Sequence, residues 1–291
     1  MSAEDHRCWI CGAQQLVLRK SSNVATMRPE DFAISDAHYG RTAAVYECQN
    51  CRFLQCADMT AVVSYYEELE DPAYIESRPE RLLQSRHLLR DVARLTGRSL
   101  RGLSLLDVGA GSGPLVEEAQ ALGMRAEGVE PSRSLCAHAT ARGLPVHHGV
   151  LPHPDVQGRF DVVTLIDVIE HTTDPVGLLS EASAAVEPGG VVVLVTPDVS
   201  SVAARLMGWR WWHFRLAHVG YFSRETLERL CERAGLQPTT SIRPGWVLPL
   251  PYLLDRVERY LPVRLPRARW QSSVAVPFNL RDSILLIGQR A

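Results

Sequence analysis

Lysine is almost missing from this 291-residue chain: Lys20 stands alone beside 30 arginines, and the formal net charge is -2. That balance excludes a protein whose main task is wholly electrostatic binding of nucleic acid. A GC-rich coding sequence explains the arginine bias, which by itself names no partner. Long hydrophobic runs are lacking too. The longest purely aliphatic run is Val191–Val195, far short of the roughly 20 residues that cross a bilayer. The opening MSAEDHRCW lacks the basic-then-apolar layout of a secretory signal, so a cytoplasmic protein is expected. Internal repeats and low-complexity linkers are absent as well. With 46% hydrophobic and 22% charged residues the composition is that of a globular protein, of one large domain or two.

What is present begins with cysteine. Four of the seven form two Cys-x-x-Cys pairs, Cys8/Cys11 and Cys48/Cys51. Without an export signal such pairs point to metal before disulfides. Four thiolates close the tetrahedral shell of Zn²⁺, which marks a structural site rather than a catalytic one. The 36 intervening residues exceed the usual ribbon spacing, so this loop must carry strands of its own. Cys56, Cys136 and Cys231 stand apart, and Cys56 reads as a small buried hydrophobe.

From Leu103 onward apolar runs alternate with capped helical patterns, the signature of a parallel sheet covered by helices. Strands are expected at Leu103–Val108, Arg125–Glu130, Leu144–His148, Phe160–Ile166, Val191–Thr196, Leu236–Ile242 and Ser283–Gly288. Pro114, Ser132, Asp174-Pro175 and Ser223 open helices. Those helices stop at Gly123, Gly143, Pro188-Gly189-Gly190 and Gly235. The first strand ends in Asp107 and runs into Gly109-Ala110-Gly111-Ser112-Gly113. Strand, glycine turn and helix together make a nucleotide-binding unit, although Pro114 replaces the third glycine of the dinucleotide fingerprint. An acid just before the glycines suits a cationic ligand group. Glu130, ending the next strand, is placed to accept hydrogen bonds from ribose hydroxyls.

LLDVGAGSGPL, GVEPS, FDVVTLIDVIEHTTDP and VEPGGVVVLVTP, in that order over residues 103–197, resemble a class I S-adenosylmethionine-dependent methyltransferase. CWICG…YECQNC and HVGYFSRETLERLCERAGL resemble the flanks of a bacterial branch with an N-terminal zinc ribbon. The resemblance implies an α/β fold, a Rossmann-like seven-stranded methyltransferase sheet with helices on both faces, preceded by a small zinc ribbon. Its parts would be a ribbon at 1–60, a helical linker and cofactor lid at 61–100, and the methyltransferase domain at 101–291. A cap insertion would occupy about 243–278 of that domain. By the same resemblance Asp107, Gly109, Ala110 and Gly111 would hold the methionine portion of the cofactor. Glu130 would take the ribose, Pro131 would border adenine, and Asp167 and Val168 would line the methionyl end. One departure stands out: His148-Gly149-Val150 occupies the place where many relatives carry an adenine-binding acid.

Methyl transfer to an alcohol needs a general base near neutral pH, and histidine is the natural candidate. His171, after the fourth strand, and His218, in the loop after the fifth, are the two candidates, each weighed against a loop-bracing role. Tyr221 is a weaker one, and Glu170 reads as a brace. Trp209, Trp211, Trp212 and Phe214 form either an acceptor-stacking lid or a hydrophobic plug. Pro249–Leu261 reads as an amphipathic helix followed by Arg264, Arg267 and Arg269. This basic end could receive an anionic acceptor or touch an acidic membrane surface, and a packed helix with a solvated edge is favoured over both. The expected reaction is methylation, at oxygen, of a small polar biosynthetic acceptor (a sugar, nucleotide-sugar or natural-product intermediate), with no nucleic-acid partner. The alternatives are a zinc-ribbon RNA methyltransferase and a non-catalytic cofactor-binding scaffold.

Overall fold

The computed structural model describes residues 6–35, 39–60, 62–260 and 274–290. Short strands β1 (Leu16–Lys20), β2 (Val45–Cys48) and β3 (Leu54–Gln55) pair antiparallel near the start of the chain. Helices α1 (Val62–Glu67), α2 (Pro72–Glu76) and α3 (Arg78–Thr96) follow. The chain then alternates through β4 (Ser104–Val108), α4 (Pro114–Ala121), β5 (Arg125–Glu130), α5 (Arg133–Ala141) and β6 (Val146–His148). Next come β7 (Phe160–Ile166), α6 (Pro175–Ala184), β8 (Val186–Pro197), α7 (Val202–Met207) and β9 (Gly220–Tyr221). Last are α8 (Arg224–Arg233), β10 (Leu236–Ile242), β11 (Trp246–Pro249), α9 (Leu250–Tyr260), β12 (Ala275–Phe278) and β13 (Ser283–Arg290).

Seven of these strands form one sheet in the order β10-β13-β8-β7-β4-β5-β6. The strands from β4 to β8 run parallel, and β13 lies antiparallel between β8 and β10. Their near-continuous Val/Leu/Ile sequences follow from burial on both faces. Caps start the covering helices as the residue types require. The Ser132 hydroxyl accepts from Leu135 N–H, Asp174 from Gly177 N–H, and Ser223 from Thr226 N–H. One face of the sheet packs against α3, α4 and α5 through Leu89, Val92, Leu105, Val116 and Ala139. The other packs against α6 and α8 through Leu179, Leu227 and Leu230, and the cysteine-bearing front joins that same core with Ile10 and Phe53.

The front is tied in by backbone as well as by side chains. β9 pairs with β3, Leu54 opposite Tyr221 and Gln55 opposite Gly220, so the small sheet is four-stranded, in the order β1-β2-β3-β9. Phe53 and Phe222 pack with ring centroids 4.9 Å apart and planes tilted by 51°, and Arg233 donates to the Ile10 carbonyl at 2.7 Å. Burial of each phenyl group contributes roughly 1.5–3 kcal/mol.

Three local features differ from expectation. The helix expected to close at Pro188-Gly189-Gly190 ends at Ala184, and those residues belong to the twelve-residue β8. The pairing slips there: Phe160 faces Val186 but Val162 faces Val191. A Cβ on Gly190 would stand 2.9 Å from the Asp161 carbonyl, so glycine permits an irregularity in the strand that the sequence reads as a stop. The second is an antiparallel β11–β12 pair beneath α9, unmarked in the sequence reading. The third is the front's fourth strand, β9. The expected amphipathic helix is present as α9, while Leu261, Arg264, Arg267 and Arg269 lie outside the described residues. Among the described residues no helix is long and apolar enough to cross a membrane.

Gly128 of β5 lies directly beneath the glycine turn, where an added Cβ would meet Ala110 Cβ at 2.6 Å and the Asp107 carbonyl at 3.0 Å. Gly128→Ala should therefore cost about 1–3 kcal/mol through overpacking, read as a lowered midpoint in thermal unfolding. An unchanged midpoint would refute the close approach.

Candidate active site

Five parallel strands deliver their carboxyl ends to one edge of the sheet, and this edge collects the buried acids. Asp107, next to last in β4, accepts the Thr164 hydroxyl of β7 at 2.6 Å. Glu130, last in β5, accepts Gly111 N–H at 2.7 Å on one oxygen and Ser132 N–H at 2.8 Å on the other. Each of its oxygens keeps a lone pair for a ligand hydroxyl. Asp167 follows β7 in a left-handed conformation with φ 52°. Burial pushes all three carboxyls up to about 7, and Glu130 adds to the rise at Asp107. Arg81 and Arg215 act against the burial at Asp167.

Glycine is required twice in the turn between β4 and α4. Gly109 (φ +74°) lies beneath Val168, where a Cβ would meet Cγ2 at 2.5 Å. Gly111 (φ +56°) lies beneath Tyr74, where a Cβ would meet the phenol oxygen at 2.2 Å. Ala110 is buried between them, over Gly128. Tyr74 arrives from α2, held by the Asp71 cap, with the Arg81 guanidinium 3.5 Å from its ring centre. Tyr74 of α2 thus covers the glycine turn. Pro131 lies beside Glu130, and its carbonyl contacts His148 Nε2 at 3.0 Å.

A second group of ionisable residues adjoins the first. His171, in the short helical turn Ile169–His171, has Nδ1 2.8 Å from the Ala217 carbonyl and 2.6 Å from the Tyr66 hydroxyl. A carbonyl only accepts, so Nδ1 carries the proton and Nε2 keeps its lone pair. Burial holds His171 down to about 3, so the ring is neutral. His218 crosses it edge to face at 4.8 Å, and His213 stacks on His218 at 5.6 Å. Burial also lowers His218 and His213. The two sequence candidates, His171 and His218, are therefore in contact. Glu170, 1% exposed, accepts the Thr196 hydroxyl at 3.0 Å, and its carbonyl takes Val219 N–H at 2.8 Å. Burial raises its carboxyl well above the usual range. Tyr221, buried in β9, is shifted upward by the same cause, so it stays a neutral phenol.

Several neighbours went unnamed in the sequence reading: Tyr66, Tyr74, Arg81, His213, Arg215 and Asp282. Arg215 is buried and donates to the carbonyls of Ala33 and Ile34. Asp282 accepts Trp212 Nε1 at 2.9 Å and lies 3.6 Å from His213. An Arg or His inside an aromatic stretch (Trp211-Trp212-His213-Phe214-Arg215) was the available signal, because charge in an apolar run must find a partner. The aromatic stretch divides: Trp211 and Phe214 are packed into a core with Phe32 and Val45, whereas Trp209 is 37% exposed.

The four paired cysteines converge separately. Cys8 and Cys51 have their Sγ atoms 3.5 Å apart, as do Cys11 and Cys48, and all four lie within 4.8 Å of one another. Cys56 is buried outside this group, and desolvation pushes its thiol up to about 12.

The chain is 34% identical over 127 residues to a ubiquinone biosynthesis O-methyltransferase of Bradyrhizobium sp. (strain ORS 278), covering 42% of this chain and 46% of that protein. A Methylobacterium sp. (strain 4-46) protein of the same name is 34% identical over 151 residues, covering 47% and 61%. The chain thus spans less than two thirds of the length of these curated relatives. Among solved structures, a chain of the Haloferax volcanii complex between the Trm112 methyltransferase activator and a methyltransferase superposes with a TM-score of 0.50 at 16% identity. That match covers 79% of this chain and 98% of that one, and it bears on the fold alone. A model of the methyltransferase domain matches residues 75–241, more than half of the chain and all of the edge described above. The chain belongs to the methyltransferase-domain family.

Proposed function

We propose that the protein transfers a methyl group from S-adenosylmethionine to an oxygen of a small polar biosynthetic acceptor. The observation that carries this reading is the set of two buried carboxyls and the half-buried Asp167 around a glycine turn, beside a neutral histidine with a free lone pair. S-adenosylmethionine supplies an electrophilic methyl group on a sulfonium that carries positive charge. Asp107, Glu130 and Asp167 are desolvated acids without enough cationic neighbours, which fits a ligand bearing cations and hydroxyls. In this reading Asp107, Gly109, Ala110 and Gly111 receive the methionine portion, and Glu130 turns its remaining lone pairs to the ribose. Pro131 borders adenine, and Asp167 and Val168 line the methionyl end. Tyr74 and the 61–100 helices close over the site and exclude water.

His171 Nε2 takes the acceptor proton, its Nδ1–H held by the Ala217 carbonyl and the Tyr66 hydroxyl. A base with its pKa near 3 in the empty site is weak. The negative charge developing on an acceptor oxygen raises it as the site fills. His218 braces His171 edge to face and completes the wall of the acceptor site. Relatives named for O-methylation in ubiquinone biosynthesis support oxygen as the methylated atom.

The four cysteines fit structural zinc. A tetrahedral ZnS₄ site with Zn–S near 2.3 Å has sulfur–sulfur edges of about 3.8 Å, and the two closest pairs here stand at 3.5 Å. The Cys51 thiol lowers Cys8, so one thiolate is already favoured. The ion would hold the front of the chain against β9.

Metal analysis of the purified protein should return about one zinc per chain, and Cys48→Ser should lose it with a lower unfolding midpoint; metal-free protein with intact thiols would end the zinc reading. Calorimetry with S-adenosylhomocysteine should show Glu130→Gln binding at least about tenfold more weakly. For S-adenosylmethionine itself the affinity should climb as pH rises through 7 and level off above it. The sign follows from the acids: in the empty site they hold protons below about 7, and a cationic ligand binds the ionised forms and releases those protons. A flat profile from pH 6 to 8 would contradict it. Finally, cells carrying the gene should contain a metabolite heavier by one CH₂ than its counterpart in cells without it. His171→Ala should cut that product about a hundredfold while S-adenosylhomocysteine affinity is kept, and full product from the variant would return His171 to a bracing role.

A further inference from the structure

A cavity of about 420 Å³ opens where α8 begins and the outer strands β10 and β13 meet their loops. β10 runs parallel to β8, since each pairs antiparallel with β13, so the cavity lies at the same sheet edge as Asp107, Glu130 and Asp167. Three guanidinium groups line it from three directions. Arg224 is the first residue of α8, Arg243 follows β10, and Arg281 precedes β13. The Asn279 amide and the Ser241 hydroxyl add neutral hydrogen-bonding groups, and among the described residues lining the cavity none is a carboxylate.

Two of the arginines are held by carboxylates outside the cavity lining. Asp198 holds Arg243 at 2.5 Å, and Arg243 donates to the Arg281 carbonyl at 2.5 Å. Glu228 holds Arg224 Nε at 2.7 Å across one helical turn. Each guanidinium has five N–H donors, so these contacts position Arg224 and Arg243 and leave donors over, while the Arg281 guanidinium keeps its donors for a ligand. Arg281 itself adopts φ 56°, a conformation that disfavours any residue with a Cβ. The Asn279 side chain maintains it, accepting Arg281 N–H at 2.7 Å and donating to the Arg243 carbonyl at 3.2 Å. A strained backbone carrying a long cation, where glycine would be unstrained, indicates use of the side chain.

We propose that this cavity receives the phosphoryl end of the methyl acceptor, an inference that rests on the methyltransferase reading. A carboxylate presents two oxygens in one plane and is satisfied by a single guanidinium fork. Three forks from different directions match the tetrahedral oxygens of a phosphoryl or diphosphoryl group instead. Distance adds a second condition. β10 stands three strands from β7, which presents Asp167, and at about 4.8 Å per strand that is roughly 14 Å. The acceptor is therefore elongated, its methylated hydroxyl at the β4–β7 end of the site and its phosphoryl group at the β10 end. Its middle passes Asp198 and Asp282, the buried acids between the two ends.

The test is calorimetry on the full-length protein saturated with S-adenosylhomocysteine, using inorganic pyrophosphate, uridine diphosphate and citrate in separate arms. Pyrophosphate should bind with an affinity that falls as salt rises, and Arg281→Gln and Arg224→Gln should each weaken it about tenfold. Both side chains are exposed, so both variants should fold and keep wild-type S-adenosylhomocysteine affinity. Uridine diphosphate, whose phosphoryl groups carry an organic body, should bind more tightly than pyrophosphate. No pyrophosphate binding, or binding unaltered by both variants, would overturn the site. Tighter binding of citrate would overturn its phosphoryl character. Pyrophosphate binding as tight as uridine diphosphate would make it a free-ion site and overturn its link to the acceptor. Wild-type protein that fails to bind S-adenosylhomocysteine sinks the methyltransferase reading, a result distinct from any of these.

Discussion

Two residues of backbone pairing hold the candidate site together. Gly220 and Tyr221 form β9 against Gln55 and Leu54 of β3, and through that contact the cysteine-bearing front grips the loop between β8 and α8. Val219 N–H, one residue earlier, donates to the Glu170 carbonyl at 2.8 Å, fastening the same loop to the turn after β7. His218 therefore has neighbours fixed on both sides, and its contact with His171 follows. Arg215 reaches the carbonyls of residues 33 and 34 from this loop, so the buried guanidinium is held by the front of the chain. A two-residue strand is weak alone. Here it is backed by the Phe53–Phe222 contact and by the four sulfur atoms behind it.

The second constraint is desolvation. Parallel strands buried on both faces carry their last residues to an edge that water reaches poorly, and this chain puts carboxyls at three of those positions. Burial is the largest cause that raises Asp107, Glu130 and Asp167 to about 7. The same burial lowers His171 and raises Glu170. These three acids are thus only partly ionised at neutral pH, and a cationic ligand placed among them would favour their charged forms. Binding and proton release are coupled by the fold itself. Stability and ligand affinity draw on the same residues, an arrangement common where ionisable groups are kept for chemistry.

Much of this was legible along the chain because the signals are local. A strand, a positive-φ glycine turn and a proline-started helix are specified within a dozen residues around Gly109–Pro114, and β4 and α4 form there. The caps Ser132, Asp174 and Ser223 act over three residues, and each makes its bond. The Cys-x-x-Cys pairs are likewise short-range, and the four sulfurs meet. Legibility failed where a local signal was overruled at a distance. Pro188-Gly189-Gly190 reads as a stop, yet pairing with β7 extends the strand through it. Trp209, Trp211, Trp212 and Phe214 look like one cluster, yet packing against Phe32 and Val45 takes two inside and leaves Trp209 at the surface.

By itself the sequence determined the sheet, its helices, the glycine turn, the acids at the strand ends and the paired cysteines, because each depends on residues close in the chain. Only the tertiary structure decided that Tyr66 would hold His171, that Tyr74 would cover Gly111, and that Arg215 would lie among buried acids. It alone brought Arg224, Arg243 and Arg281 around one cavity. Those contacts join residues from 19 to 182 positions apart. Their energies depend on burial and on partners from other elements, and no pattern along the chain records which segments will meet.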